Sequence, residues 1–151
     1  MLKTFEIVLT GQVQGVGFRP FVYNLAIGMG LNGTVCNNAD GVLIRFNADI
    51  DKAKEFLEAI LNKAPEVSNV ISSSLKEVGP EDYYAFKIVK SVTDRKVNIP
   101  LTPDFAICKN CQFEIRDPKN RRYRYAFSTC TVCGPRYSKT MKFTFERSHT
   151  S

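Results

Sequence analysis

Gly11-Gln12-Val13-Gln14-Gly15-Val16-Gly17-Phe18-Arg19 joins two segments of different hydrophobic period. Before it, Phe5, Ile7 and Leu9 alternate with Glu6, Val8 and Thr10, the period-two pattern of a strand. After it, Phe18, Phe21, Val22, Leu25 and Met29 recur at helical spacing. Pro20 falls near the first turn, where its missing N–H does no harm. Gly28, Gly30 and Gly33 mark the helix exit. The stretch therefore reads as a strand-to-helix turn whose glycines cannot extend the strand. Glycines let successive backbone N–H groups turn inward, and a helix N-terminus adds partial positive charge. Arg19, in the first helical turn, can fork onto two phosphate oxygens. The residues describe a cradle for a dianion built from Val13, Gln14, Gly15, Val16, Gly17, Phe18 and Arg19. On the residues alone, a plain tight connection is an equally good reading. The stretch is not a Walker loop, since no Gly-Lys-Ser/Thr follows, and its glycine spacing is not that of the Rossmann fingerprint.

Working outward, Thr34 to Asn37 reads as a short strand, and Asn38-Ala39-Asp40-Gly41 turns it into Val42, Ile44 and Phe46, a hairpin. Asn37 before a turn commonly bonds its own backbone, and the residues alone favour that role. Cys36 reads as a small buried hydrophobe rather than a nucleophile. A second helix follows, capped by Asp49 or Asp51, with Ala53, Phe56, Leu57, Ile60 and Leu61 on one face. Ala64-Pro65 ends it, Val67 to Val78 is extended, and Ala85 to Val89 is a last strand. The expected order is β-α-β-β-α-β with an extra strand: an α+β, ferredoxin-like sandwich over residues 1–91, two helices on one face of an antiparallel sheet.

The second half carries Cys108-Lys109-Asn110-Cys111 and Cys130-Thr131-Val132-Cys133, a C-x2-C-x18-C-x2-C pattern. Two such pairs fit the corners of a tetrahedral zinc site. Four cysteines leave no open coordination position, so the zinc is expected to be structural. The expected divisions are a linker at 92–107, a zinc-ribbon-like four-cysteine module at 108–134 and a tail at 135–151.

Composition agrees with a globular chain of 151 residues, 44% apolar and 24% charged. No apolar run approaches the length of a membrane span, and the start lacks a signal-peptide core. A cytoplasmic protein is the default expectation, which favours metal ligation over disulfides for the paired cysteines. Charge is uneven. Residues 1–91 hold 9 Lys/Arg against 10 Asp/Glu, residues 92–151 hold 12 against 5, and the whole is +6. The basic character belongs to the cysteine module. His149 is the one histidine, so Ser-His-Asp or Cys-His catalysis is excluded in practice. Arg121-Arg122-Tyr123-Arg124-Tyr125 interleaves cations and aromatics, as nucleic-acid surfaces do. Packing on a small core or docking of another domain is the favoured reading of that run, because so small a metal unit has little else to bury.

Gly11 to Arg19 resembles the first acylphosphatase signature, and Gly33-Thr34-Val35-Cys36-Asn37-Asn38-Ala39-Asp40-Gly41-Val42 resembles the second. The resemblance implies that Arg19 and the 13–18 amides hold a phosphate and that Asn37 orients the attacking water. Thr34 departs from the usual aromatic residue, Cys36 from the usual basic one, and the glycine that closes the second signature is absent around Asp49. The cysteine half resembles the hydrogenase-maturation carbamoyltransferase family HypF. Pro103 to Cys108, Arg121 to Phe127, Cys130-Thr131-Val132-Cys133-Gly134-Pro135-Arg136-Tyr137-Ser138 and Arg147 to Ser151 carry that likeness. It implies the N-terminal portion of such an enzyme, either excised or truncated. An acylphosphatase-like domain acting on carbamoyl phosphate or another acyl phosphate is expected, followed by the first of two four-cysteine zinc units. The implied partners are the downstream ATP-dependent adenylating and transfer domains, and a maturation partner bearing a C-terminal cysteine. No membrane is expected. Such a fragment is not expected to adenylate or transfer a carbamoyl group by itself. The rival reading is a zinc-ribbon nucleic-acid-binding protein with a non-catalytic ferredoxin-like domain; specific nucleic-acid binding ranks below the enzyme reading.

Overall fold

A computed structural model of the chain describes residues 2–91, 106–125 and 130. Residues 92–105 of the expected linker, Cys133 and the tail at 135–151 lie outside the described residues.

The first ninety residues follow the expected order. Strand β1 (Lys3–Gln12) leads to helix α1 (Phe18–Gly28), then the hairpin β2 (Asn32–Asn37) and β3 (Gly41–Ala48). Helix α2 (Ile50–Asn62), β4 (Asn69–Val78) and the short β5 (Phe86–Ile88) complete it. The five strands form one sheet in the order β4-β1-β3-β2-β5.

The alternation seen in the sequence sets the core. Phe5, Ile7 and Leu9 of β1, Val35 of β2, and Val42, Ile44 and Phe46 of β3 all turn to the helix side and are buried. Phe18, Val22 and Ala26 of α1 and Ala53, Phe56 and Ile60 of α2 pack onto them in one cluster. Phe46 meets Phe56 edge-on, with ring centroids 5.0 Å apart. Asp49 caps α2, its carboxylate accepting from Lys52 N–H at 2.8 Å. At the end of α1, Leu31 N–H returns to Ala26 O and Gly30 N–H to Ile27 O, the pattern of a Schellman stop.

Two expectations need correction. The glycine stretch does not end β1 at Thr10. The strand runs on to Gln12, because a register shift between Thr10 and Gly11 lets Gly11 and Gln12 continue pairing with Val70 and Asn69 of β4. The sheet is not wholly antiparallel either. β5 lies parallel to β2, with Phe86 opposite Gly33 and Ile88 opposite Val35. The chain reaches β5 from the far edge strand β4, so the extra strand arrives running the same way as β2.

On the sheet face away from the helices, Arg45 bonds Glu6 at 2.9 Å and Glu81 at 3.0 Å. The Glu81 backbone is held there too, by Thr4 Oγ1 and by Asn47 Nδ2. Tyr83 O–H donates to the Glu81 carboxylate. Burial, with that carboxylate as a second cause, pushes the Tyr83 phenol up to about 12.

Candidate active site and metal cluster

The loop between β1 and α1 has the backbone that its glycines allow. Gly15 and Gly17 sit at φ 72° and 74°, in the left-handed region where a side chain is strained. Gly17 is the N-cap of α1 and supplies no side-chain cap, and no acidic residue occupies the first turn. The first bond within the helix runs from Phe21 N–H to Gly17 O at 3.2 Å. Amides before Phe21 cannot bond inside the helix, and the first turn of α1 itself brings no carboxylate to its positive end. Val13, Val16 and Phe18 anchor the loop from below, each 1% exposed. Arg19 is partly buried on the first turn of α1. A dianion is the natural guest of such a turn.

Asn37 ends β2 two residues after the buried Val35, so the strand's period puts it on the same, helix-side face. It is 1% exposed, and neither its Oδ1 nor its Nδ2 has a hydrogen-bond partner among the described residues. The turn-holding role belongs instead to Asn38. Its Oδ1 accepts from Asp40 N–H at 3.0 Å and Gly41 N–H at 2.8 Å. Its N–H donates to Gly41 O at 3.0 Å. A buried amide without a partner costs about 1–3 kcal/mol, so a fold keeps one where a ligand can use it.

The loop and the turn touch. Gln14 Nε2 donates to Asn38 O at 2.8 Å and to Gly41 O at 2.5 Å. A Cβ on Gly41 would come within 2.0 Å of Leu9 O and 3.1 Å of Val13 Cγ2, and its φ is 157°. Gly41 therefore has to be glycine for the turn to close against β1 and the loop. The sequence reading took Gln14 for its backbone amide alone and gave Gly41 no role in the site. Cys36 faces away from Asn37 by alternation and is buried.

Cys108, Cys111 and Cys130 bring their three Sγ atoms within 4.8 Å of one another. Thiolates about 2.3 Å from a shared tetrahedral metal ion stand about 3.8 Å apart, so this cluster is of the right size. The fourth expected ligand, Cys133, is outside the described residues. Cys108 is the N-cap of helix α3 (Lys109–Arg116) and Cys111 lies in its first turn. A metal ion is bound by cysteine as the thiolate. A helix running through the first cysteine pair was not foreseen; its apolar residues Cys111, Phe113 and Ile115 recur at every second position rather than at helical spacing.

Among the arginines, Arg122 pairs with Glu114 at 2.7 Å, and the Arg124 guanidinium lies 5.3 Å from the centre of the Tyr123 ring. The aromatics do not sink into a small core as packing would require. Tyr123 is 40% exposed, Tyr125 51% and Phe113 71%. No helix among the described residues is long and apolar enough to cross a membrane.

Comparison with known families agrees with both halves. The acylphosphatase family model matches residues 5–88, and that of the HypF finger matches residues 107–140. The carbamoyltransferase HypF of Synechocystis sp. is 38% identical over 151 residues, covering 100% of this chain and 20% of its own length. The acylphosphatase of Thermotoga maritima is 38% identical over 88 residues, 58% of this chain and 97% of that protein. Among solved structures, full-length HypF in a phosphate- and nucleotide-bound form superposes with a TM-score of 0.82 at 39% identity, covering 99% of this chain and 20% of that one. Acylphosphatase from Bacillus subtilis superposes with a TM-score of 0.53 at 37% identity, covering 59% and 99%. The chain spans about a fifth of the length of the HypF relatives it matches. Residues 5–88 are an acylphosphatase-type hydrolase domain. The chain belongs to the acylphosphatase family, with a HypF finger joined to that domain as in the N-terminal part of the HypF carbamoyltransferases.

Proposed function

We propose that this chain hydrolyses acyl phosphates, with carbamoyl phosphate as the physiological substrate, as part of a HypF-type carbamoyltransferase serving nickel–iron hydrogenase maturation. The observation that carries the reading is the buried, unpartnered Asn37 amide beside a loop whose amides and helix end suit a phosphate. Arg19 and the amides of residues 13–18 take the phosphoryl oxygens and neutralise charge as it develops. Asn37 orients a water at phosphorus. The P–O bond to the acyl group breaks, the carboxylate or carbamate leaves, and the water's proton passes to a phosphoryl oxygen. An acyl phosphate is already activated, so the reaction needs no strong enzymic base.

In the same reading Cys108, Cys111, Cys130 and Cys133 hold one structural zinc ion. The chain divides into a domain at 1–91, a linker at 92–107, a zinc module at 108–134 and a tail at 135–151. The partly exposed Tyr123, Tyr125 and Phe113, with the basic residues around them, form a docking face for downstream domains of a parent enzyme. That parent would pass its carbamoyl group to a partner's C-terminal cysteine. The internal engagement of Arg122 and Arg124 speaks against a nucleic-acid surface.

Phosphate release from acetyl phosphate and carbamoyl phosphate, measured without added metal, tests the reading. Release above buffer on either supports it, and a preference for carbamoyl phosphate supports the substrate. No release on either sinks the catalytic claim, and nanomolar, sequence-selective oligonucleotide binding would replace it.

A further inference from the structure

Gln14 sits in the middle of the phosphate loop, yet its side-chain nitrogen is committed elsewhere, while its buried Oε1 has no hydrogen-bond partner among the described residues. Both protons of its Nε2 are used, one on Asn38 O at 2.8 Å and one on Gly41 O at 2.5 Å. These carbonyls open and close the turn that begins directly after Asn37. The residue is 2% exposed, so water competes poorly for the two bonds. Gly41 O also accepts from Asn38 N–H at 3.0 Å, which makes that one carbonyl the meeting point of turn and loop.

Resting on the hydrolase reading above, we propose that Gln14 is a positioning residue that fixes Asn37 relative to the phosphate-binding loop. Its backbone amide belongs to the cradle, while its side-chain Nε2 acts on the turn. The phosphate is held by Arg19 and by amides of the loop, which belong to one continuous segment running into α1. The water is held by Asn37, whose distance from the loop depends on the turn. Loss of the Gln14 strap therefore separates two quantities that a general loss of structure would move together. A nucleophile misplaced by about 1 Å costs on the order of a hundredfold in rate.

Gln14→Met keeps the length of the side chain and removes both donors. The expected result is a kcat on acetyl phosphate lower by on the order of a hundredfold. The inhibition constant of inorganic phosphate should change by less than about threefold. Equal losses in kcat and phosphate affinity, or an unchanged kcat, would overturn the proposal. Gln14→Glu gives a second readout, which also stands if the Met variant does not fold. Its carboxylate faces two carbonyl oxygens, whereas its protonated form regains one donor. Its kcat relative to wild type should therefore rise as pH falls toward 5, and a flat ratio contradicts the strap. If the wild-type chain releases no phosphate, the hydrolase reading fails on its own. The strap is then read from amide exchange. Asn38 and Gly41 N–H groups should exchange faster in Gln14→Met while those of α2 keep their protection, and unchanged exchange at the turn overturns it.

Discussion

Asn37 and Asn38 are neighbours of the same type with opposite positions in the energy balance. Asn38 spends its side chain on the turn. Asn37 is buried with both polar atoms unpartnered among the described residues. Replacing Asn37 by leucine should therefore abolish turnover while stabilising the fold by about 1 kcal/mol, the reverse of what a structural asparagine would give. Urea unfolding alongside an activity assay reads both. Arg19→Ala should lose about 3 kcal/mol of transition-state stabilisation, seen as a fall in kcat/KM on acetyl phosphate. Tyr83 gives a pH signature. Its folded-state phenol is raised to about 12 from an ordinary value near 10, so its contribution is complete below about pH 10 and is lost as pH climbs through about 12. The stability advantage of wild type over Tyr83→Phe should shrink across that window, and an advantage that persists above it contradicts the account.

At the scale of elements, period-two and helical spacing located β1, β3, α1 and α2, because each amphipathic face is repeated several times along its element. The core face of α2 shows the strength of that signal. Ala53, Phe56 and Ile60 are wholly buried while Asp51, Glu55 and Glu58 stay exposed. Phe56→Ala should cost about 3–5 kcal/mol, since its ring fills the space against Phe46. Thermal or urea unfolding checks this, and a loss under about 1 kcal/mol would mean the site collapses around the gap. Less was legible where long-range pairing decides. Nothing local in Phe86-Lys87-Ile88 tells that β5 joins β2 in parallel. The bulge at Gly11 exists because β4 pairs across it. The Gln14 strap depends on two backbone carbonyls more than twenty residues away. The division of labour between the two asparagines was partly legible: Val35 marks the core face, and Asn37 shares its parity.

At the scale of the whole chain, a hydrophobic core and a cysteine cluster are two independent sources of order. The cluster of three thiols follows from the C-x2-C spacing, which fixes two ligands on one helix turn. Structural zinc at such sites contributes roughly 10–16 kcal/mol of apparent folding energy. Chelation should therefore unfold α3 and its surroundings and leave the first ninety residues folded, since their core contains no metal ligand. Metal analysis should find one zinc ion per chain, and circular dichroism with limited proteolysis should find an intact first domain after chelation. Loss of that domain, or no metal at all, contradicts the two-source picture.

The central claim is that a phosphate cradle and a buried asparagine direct water onto phosphorus. Hydrolysis of acetyl phosphate in water enriched in heavy oxygen tests it most directly. The account predicts that the enzyme-dependent reaction carries the label into inorganic phosphate and leaves acetate unlabelled. Label in acetate, or no enzyme-dependent release, would contradict it.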